Sequence, residues 1–163
     1  MKIQFTLNNK PCLIDSDPSE KLIDVLRREN LSSVKQGCMS TSCGSCYVLL
    51  DNKAVASCHI PVGITIGSEI ITLEYFSKTD FYSDIMKGFE KAGVSMCGYC
   101  NAGKIFLAYE ILNILNEPSR DTIKLIAARI NDCCVEQNTF INGILYAYSI
   151  HFDKEKLRKN GHW

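Results

Sequence analysis

Apolar and polar positions alternate over residues 2–7, and a short apolar stretch follows over 11–15, with Asn8-Asn9-Lys10 between them. That pattern predicts two strands joined by a tight turn. Asp17-Pro18-Ser19-Glu20 reads as a helix start, with Asp17 as N-cap, Pro18 in the first position and Glu20 three residues after the cap. Leu22, Ile23, Val25 and Leu26 then give the following helix a broad inner face, ending near Asn30. Tyr47-Val48-Leu49-Leu50 and Ala54-Val55-Ala56-Ser57 predict a hairpin about Asp51-Asn52-Lys53, and Ile70-Ile71-Thr72-Leu73 predicts a last strand. Two strands, a helix and more strands within a short span outline a β-grasp domain, α+β in class.

Near Ser77 the pattern changes from strand-like alternation to helical spacing. Residues 80–92, 102–115, 119–130 and 139–150 predict four helices, with Gly93 ending the first and Asn116-Glu117-Pro118 separating the second from the third. Short connections favour antiparallel neighbours, hence a four-helix bundle. The expected division is a β-grasp domain over 1–76 and a helical domain over 77–163. From His151 to Trp163 the chain turns polar and basic, which predicts a frayed tail or a segment ordered by a partner.

With 163 residues and 46% hydrophobic content, the chain can bury a core. Eighteen basic and eighteen acidic residues cancel, so no nucleic-acid or membrane-surface partner is indicated. No apolar run approaches the ~18 residues of a membrane span, and the alternating N-terminus lacks the apolar stretch of an export signal. Nine cysteines without such a signal indicate reduced thiolates holding metal in the cytoplasm.

Cys38, Cys43, Cys46 and Cys58 have the spacing C-x4-C-x2-C-x11-C, by which plant-type ferredoxins hold a 2Fe-2S cluster. Two irons bridged by sulfides need four thiolates, and a tight loop can present three of them from one side. Gly37 and Gly44 relieve the backbone where it curls round the metal, and Cys58 arrives from the end of the second hairpin strand. Zinc also takes four cysteines, but its sites usually show two separated C-x2-C pairs. Loop N–H groups directed at the sulfides are expected to stabilise the reduced state, and plant-type clusters lie near about −400 mV.

A second set follows. Cys97-Gly98-Tyr99-Cys100 precedes the second long helix, and Cys133-Cys134 lies at the end of the third. A C-x2-C pair and a cysteine pair at two helix ends can meet across a bundle and bind a second cluster. Adjacent helical residues point about 100° apart, so joint ligation by Cys133 and Cys134 requires a bent, non-helical segment.

Over about residues 2–150 the chain resembles the small iron-sulfur subunit of the xanthine oxidase family of molybdenum hydroxylases. The matching pieces are Leu22-Ile23-Asp24-Val25-Leu26-Arg27, the loop from Gly37-Cys38 to Cys46, Ser57-Cys58-His59-Ile60-Pro61-Val62, Ile71-Thr72-Leu73-Glu74 and Cys97-Gly98-Tyr99-Cys100-Asn101-Ala102-Gly103. The resemblance implies a β-grasp ferredoxin domain and a four-helix domain, each with a 2Fe-2S cluster. It further implies a molybdopterin-binding large subunit that oxidises or hydroxylates substrate, and an FAD-binding subunit or external acceptor that receives the electrons. Cys97, Cys100 and Cys134 are the implied ligands of the second cluster.

The last cysteine motif departs from the family's C-R-C. Counted without a gap from Cys100, Asp132 falls on its first cysteine, Cys133 on the arginine and Cys134 on its second cysteine. The family's following T-G-Y is replaced by Val135-Glu136-Gln137, its Thr-Pro after the first pair by Asn101-Ala102, and its frequent glutamine by Met96. Three accounts stay open: Asp132 as an oxygen ligand, Cys133 shifted into the missing corner, or a weakened or lost second cluster. The thiolate preference of iron-sulfur chemistry favours Cys133.

Cys12, in the second strand, reads as a small buried hydrophobe, and His59 as a surface or partner-facing residue. Phe76, Phe81, Tyr82, Phe89, Phe106, Tyr109, Tyr146 and Tyr148 read as core. No catalytic triad, paired carboxylates or phosphate-binding loop is visible, so the chain is expected to activate no substrate itself. The expected role is electron transfer within an oxidoreductase. A free-standing ferredoxin-like carrier, whose helical domain serves for docking, is the alternative.

Overall fold

The computed structural model describes residues 1–38 and 40–159; Met39 of the first cysteine loop and the last four residues of the expected tail lie outside them. Strands β1 (Lys2–Leu7) and β2 (Lys10–Asp15) form a hairpin in which Phe5 faces Cys12, with Asn8 and Asn9 both at positive φ in the turn. Helix α1 (Leu22–Arg28) follows, then a long loop, then the hairpin of β3 (Tyr47–Leu50) and β4 (Lys53–Ala56). Two 3₁₀ turns, Ser57–His59 and Val62–Thr65, lead to β5 (Glu69–Ile71). The sheet order is β2-β1-β5-β3-β4, with β5 parallel to β1 and antiparallel to β3. The fold is α+β, a β-grasp sheet followed by helices.

The α1 start differs from the sequence expectation. Asp17 accepts from the Ser19 N–H and hydroxyl in a local turn, while the helix begins at Leu22 with Lys21 as its N-cap. The cause is long-range: Lys21 bridges to Pro61, and the Leu22 N–H donates to Ile60 O at 2.8 Å. The last strand stops at Ile71 because Thr72 caps a short helix, α2 (Leu73–Phe76).

The four long helices are α3 (Asp80–Ala92), α4 (Asn101–Ile114), α5 (Arg120–Ala127) and α6 (Gln137–Lys159). Thr79 and Ser119 cap α3 and α5 through their hydroxyls, and Gly93 ends α3 in the left-handed conformation. Every residue of α4 from Ala102 to Leu112 is buried, Lys104 and Glu110 included, as in a central helix enclosed on all sides. The third helix is shorter than its periodicity predicts, leaving 128–136 as a non-helical link.

Two hydrophobic cores share the sheet. Val48 joins Ile3, Phe5, Leu22, Ile23, Val25 and Leu26 on the α1 side. Tyr47 and Leu49 join Phe76, Phe89, Phe106 and Ile144 on the helical side. Strand β3 is thus covered on both faces, which explains its uninterrupted apolar run.

The expected frayed tail is a correction: α6 continues as helix to Lys159. His151 is buried, with Nδ1 2.9 Å from Asp84 Oδ2 and its ring stacked on Phe81; Lys154 also donates to Asp84, and Arg158 to Asp80 at 3.2 Å. Counter-charges on α3 fix a segment whose composition reads as solvated. Tyr146 is a second correction, 38% exposed with Lys91 over its ring, whereas Phe76, Phe89 and Phe106 are core as expected.

Candidate metal centres

The loop between α1 and β3 has no regular structure and is closed at its base by serines. The Lys35 N–H donates to Ser45 O at 3.0 Å, and the fully buried Ser45 hydroxyl returns a bond to Lys35 O at 3.0 Å. Ser57, also fully buried, donates from its hydroxyl to Cys46 O at 2.7 Å and so ties the Cys58 turn to the loop. Neither serine stands out in sequence; each is a small hydroxyl beside a cysteine, a weak signal on its own. Gly44 turns the chain at φ 73° between Cys43 and Ser45.

These restraints bring the first four cysteines together. Cys43 is near enough to Cys38 to lower its pKa, and Cys46, then Cys38 and Cys43, are near enough to Cys58 to raise its pKa. Cys46 and Cys58 are buried, and Cys38 and Cys43 half-buried. The Ser40 backbone N–H is the main cause that draws Cys38 down to about 6, while burial and then the neighbouring sulfurs push Cys58 up to about 12. Four thiols whose charges oppose one another form a donor set suited to a cation, which deprotonates its ligands outright. The Ser45 N–H lies 3.4 Å from Cys43 Sγ and points at it, as expected of a loop that stabilises sulfur charge. His59 is exposed, its Nδ1 3.4 Å from Cys58 Sγ, and Cys12 is half-buried in β2.

In the second set, Gly98 turns the chain at φ 86° and its N–H donates to Asn101 Oδ1 at 3.0 Å, leaving Cys100 at the N-cap of α4. Cys133 and Cys134 sit in the non-helical link, the bend their joint use requires. The Sγ atoms of Cys97, Cys100, Cys133 and Cys134 all lie within 4.8 Å of one another, a group Asp132 does not join. The Cys97 N–H donates to Cys134 Sγ at 3.2 Å. Cys97, Cys133 and Cys134 are exposed and Cys100 is buried. The Tyr99 backbone N–H, then the Cys134 thiol, lower Cys97 to about 7; burial lifts Cys100 to about 12 against the pull of the Lys104 charge. Four close sulfurs with one backbone donor fit a thiolate-held cluster.

The two sets abut. A Cβ on Gly103 would lie 2.7 Å from Gly44 Cα, so backbone next to Cys43 packs against the first turn of α4 with no room for a methyl. The Tyr99 hydroxyl donates to Gln36 O at 3.0 Å, Lys35 Nζ to Gly98 O at 2.5 Å, and the Asn131 N–H to Ser42 O at 2.7 Å. Further along, Glu110 of α4 accepts from the Ala54 N–H at 2.6 Å and from Arg129 at 2.5 Å, and Arg129 also donates to Ala54 O. This clamp joins β4, α4 and the link bearing Cys133 and Cys134. Sequence alone does not find it, because its three residues are scattered.

Residues 5–64 match the 2Fe-2S iron-sulfur cluster binding domain family. The chain is 36% identical over 110 residues to the xanthine dehydrogenase iron-sulfur-binding subunit of Escherichia coli O157:H7, covering 68% of this chain and 69% of that one. It is 30% identical over 149 residues to the nicotine 6-hydroxylase small subunit of Paenarthrobacter nicotinovorans, covering 90% and 89%. Quinoline 2-oxidoreductase from Pseudomonas putida 86 superposes with a TM-score of 0.80 at 29% identity, over 93% of this chain and 96% of that chain. A β-grasp cysteine loop, a helical domain with its own cysteine set and these likenesses agree: the chain belongs to the family of electron-transfer iron-sulfur subunits of the molybdenum hydroxylases.

Proposed function

We propose that Cys38, Cys43, Cys46 and Cys58 hold one 2Fe-2S cluster, and that Cys97, Cys100, Cys133 and Cys134 hold the other. The helical-domain set faces a molybdopterin-binding large subunit, and the β-grasp set lies toward an FAD-binding subunit or an external acceptor. The observation that carries this reading is the asymmetry of exposure: three of the four helical-domain cysteines are exposed, whereas Cys46 and Cys58 are buried. When bound, each cluster supplies a one-electron couple.

The chain's own residues do the positioning. Ser45 and Ser57 hold the first loop in register, and Asn101 holds the Cys97–Cys100 turn. The Gly44–Gly103 contact and the Glu110–Arg129 pair keep the two sets at a fixed separation. No helix among the described residues is long and apolar enough to cross a membrane, and reduced cysteines suit a cytoplasmic complex.

Iron content and EPR of two variants test the ligand set. Cys133→Ser is expected to drop iron from about four to about two per chain, two irons per cluster, and to remove one EPR signal. Asp132→Ala is expected to leave both intact. The reverse order would assign the fourth corner to the carboxylate. Co-purification of large subunits separates a relay from a free-standing carrier.

A further inference from the structure

The buried charged side chains among the described residues are Asp84, Lys104, Glu110 and His151. Three of them have ionic partners within the chain: Asp84 with His151 and Lys154, and Glu110 with Arg129. Lys104, only 2% exposed, forms no ion pair with a carboxylate among the described residues. Its ammonium lies 5.3 Å from the centre of the Phe140 ring, and an aromatic face offsets only part of the cost of desolvating a cation. Charges this enclosed are usually paired or lie against metal sites, so an anion held nearby would interact strongly with this lysine.

The geometry supplies one. Lys104 stands one turn after Cys100 on α4, and its N–H donates to Cys100 O at 3.4 Å. Helical side chains lean toward the N-terminus and cover the preceding turn, so the Lys104 stem runs back toward Cys100. Its charge reaches the Cys100 sulfur. Phe140 belongs to the first turn of α6, just beyond the link carrying Cys133 and Cys134.

We propose that Lys104 is the buried counter-charge of the cluster held by Cys97, Cys100, Cys133 and Cys134 and sets its reduction potential. The inference rests on that ligand set. Reduction adds one negative charge to a thiolate-held centre, and a fixed cation in a low-dielectric surrounding favours the reduced form. The lysine thereby makes this cluster a better electron acceptor, without touching substrate or the β-grasp site.

The test is a potentiometric EPR titration of both signals in the full chain, purified anaerobically, with iron counted in each sample. Lys104→Met keeps the unbranched stem and removes the charge. At a fixed potential it is expected to lower the reduced-to-oxidised ratio of the helical-domain cluster about tenfold, equivalent to about 59 mV for one electron. The β-grasp signal is expected to stay at its wild-type potential. Lys104→Arg, which keeps the charge, is expected to hold the wild-type ratio. If Lys104→Met does not assemble, Lys104→Gln against Lys104→Arg makes the same comparison, and equal ratios there overturn the role. Four irons with an unchanged ratio in Lys104→Met overturn Lys104's role alone. Two irons in the wild type overturn the ligand set, and the inference with it.

Discussion

Replacing Cys43 by serine is expected to cost the chain its β-grasp cluster and the order of the loop around it. The Cys43 sulfur lies 2.9 Å from the Ser45 hydroxyl and accepts from the Ser45 N–H at 3.4 Å, in a segment with no helix or strand of its own. Such a loop gains few backbone bonds on folding, so ligation supplies much of the free energy that orders it. Serine keeps the size but not the soft thiolate that iron-sulfur chemistry selects. Iron is expected to fall from about four to about two per chain, with one EPR signal lost and the loop newly open to proteolysis. A variant with a full two-signal spectrum would contradict the ligand assignment.

The second large effect is expected far from either cysteine set. Asp84 is 1% exposed and accepts from both His151 and Lys154 of α6. Burial alone would raise its pKa, but the bonds from Lys154 and His151 outweigh it and hold the carboxyl below its ordinary value. A carboxylate with a lowered folded pKa stabilises the fold above its unfolded pKa of about 3.9, and loses that contribution as pH falls through the folded value. Asp84→Ala leaves a buried histidine and a lysine without their anion and is expected to cost about 3–5 kcal/mol at neutral pH. Urea midpoints followed by helical circular dichroism check this. The gap between wild type and variant is expected to start narrowing below about pH 4, where the unfolded carboxylate takes up protons, and to close as pH falls through the lower folded value; a gap that stays constant on acidification would show that Asp84 acts by packing alone.

The same α3–α6 contact shows why part of the fold escapes a reading of the sequence. The strands, the hairpins and the existence of four helices follow from local periodicity, which is a property of each segment. The extension of α6 past Ile150 does not, because its stabilising partners Asp80 and Asp84 lie about seventy residues earlier. The start of α1 is displaced for the same reason, by the bridge from Lys21 to Pro61. The first cysteine set is legible because its chemistry lies in one short spacing. The second is legible only in part: Cys97 and Cys100 declare themselves, while the choice between Asp132 and Cys133 depends on how residues 128–136 bend. The link's free backbone lets Cys133 and Cys134 turn to one centre, which a continued helix would forbid. Lys104 lies in a run of helical apolar residues, where its burial without an ion pair among the described residues marks it.

The central claim is a chain with two clusters, tested most directly by iron and acid-labile sulfide per chain in anaerobically purified protein, together with EPR of the reduced form. The expected result is about four irons and four sulfides with two distinct signals, two irons and two sulfides for each cluster. Two irons with a single signal would contradict it, leaving the helical cysteines without a cluster and the chain a one-centre carrier.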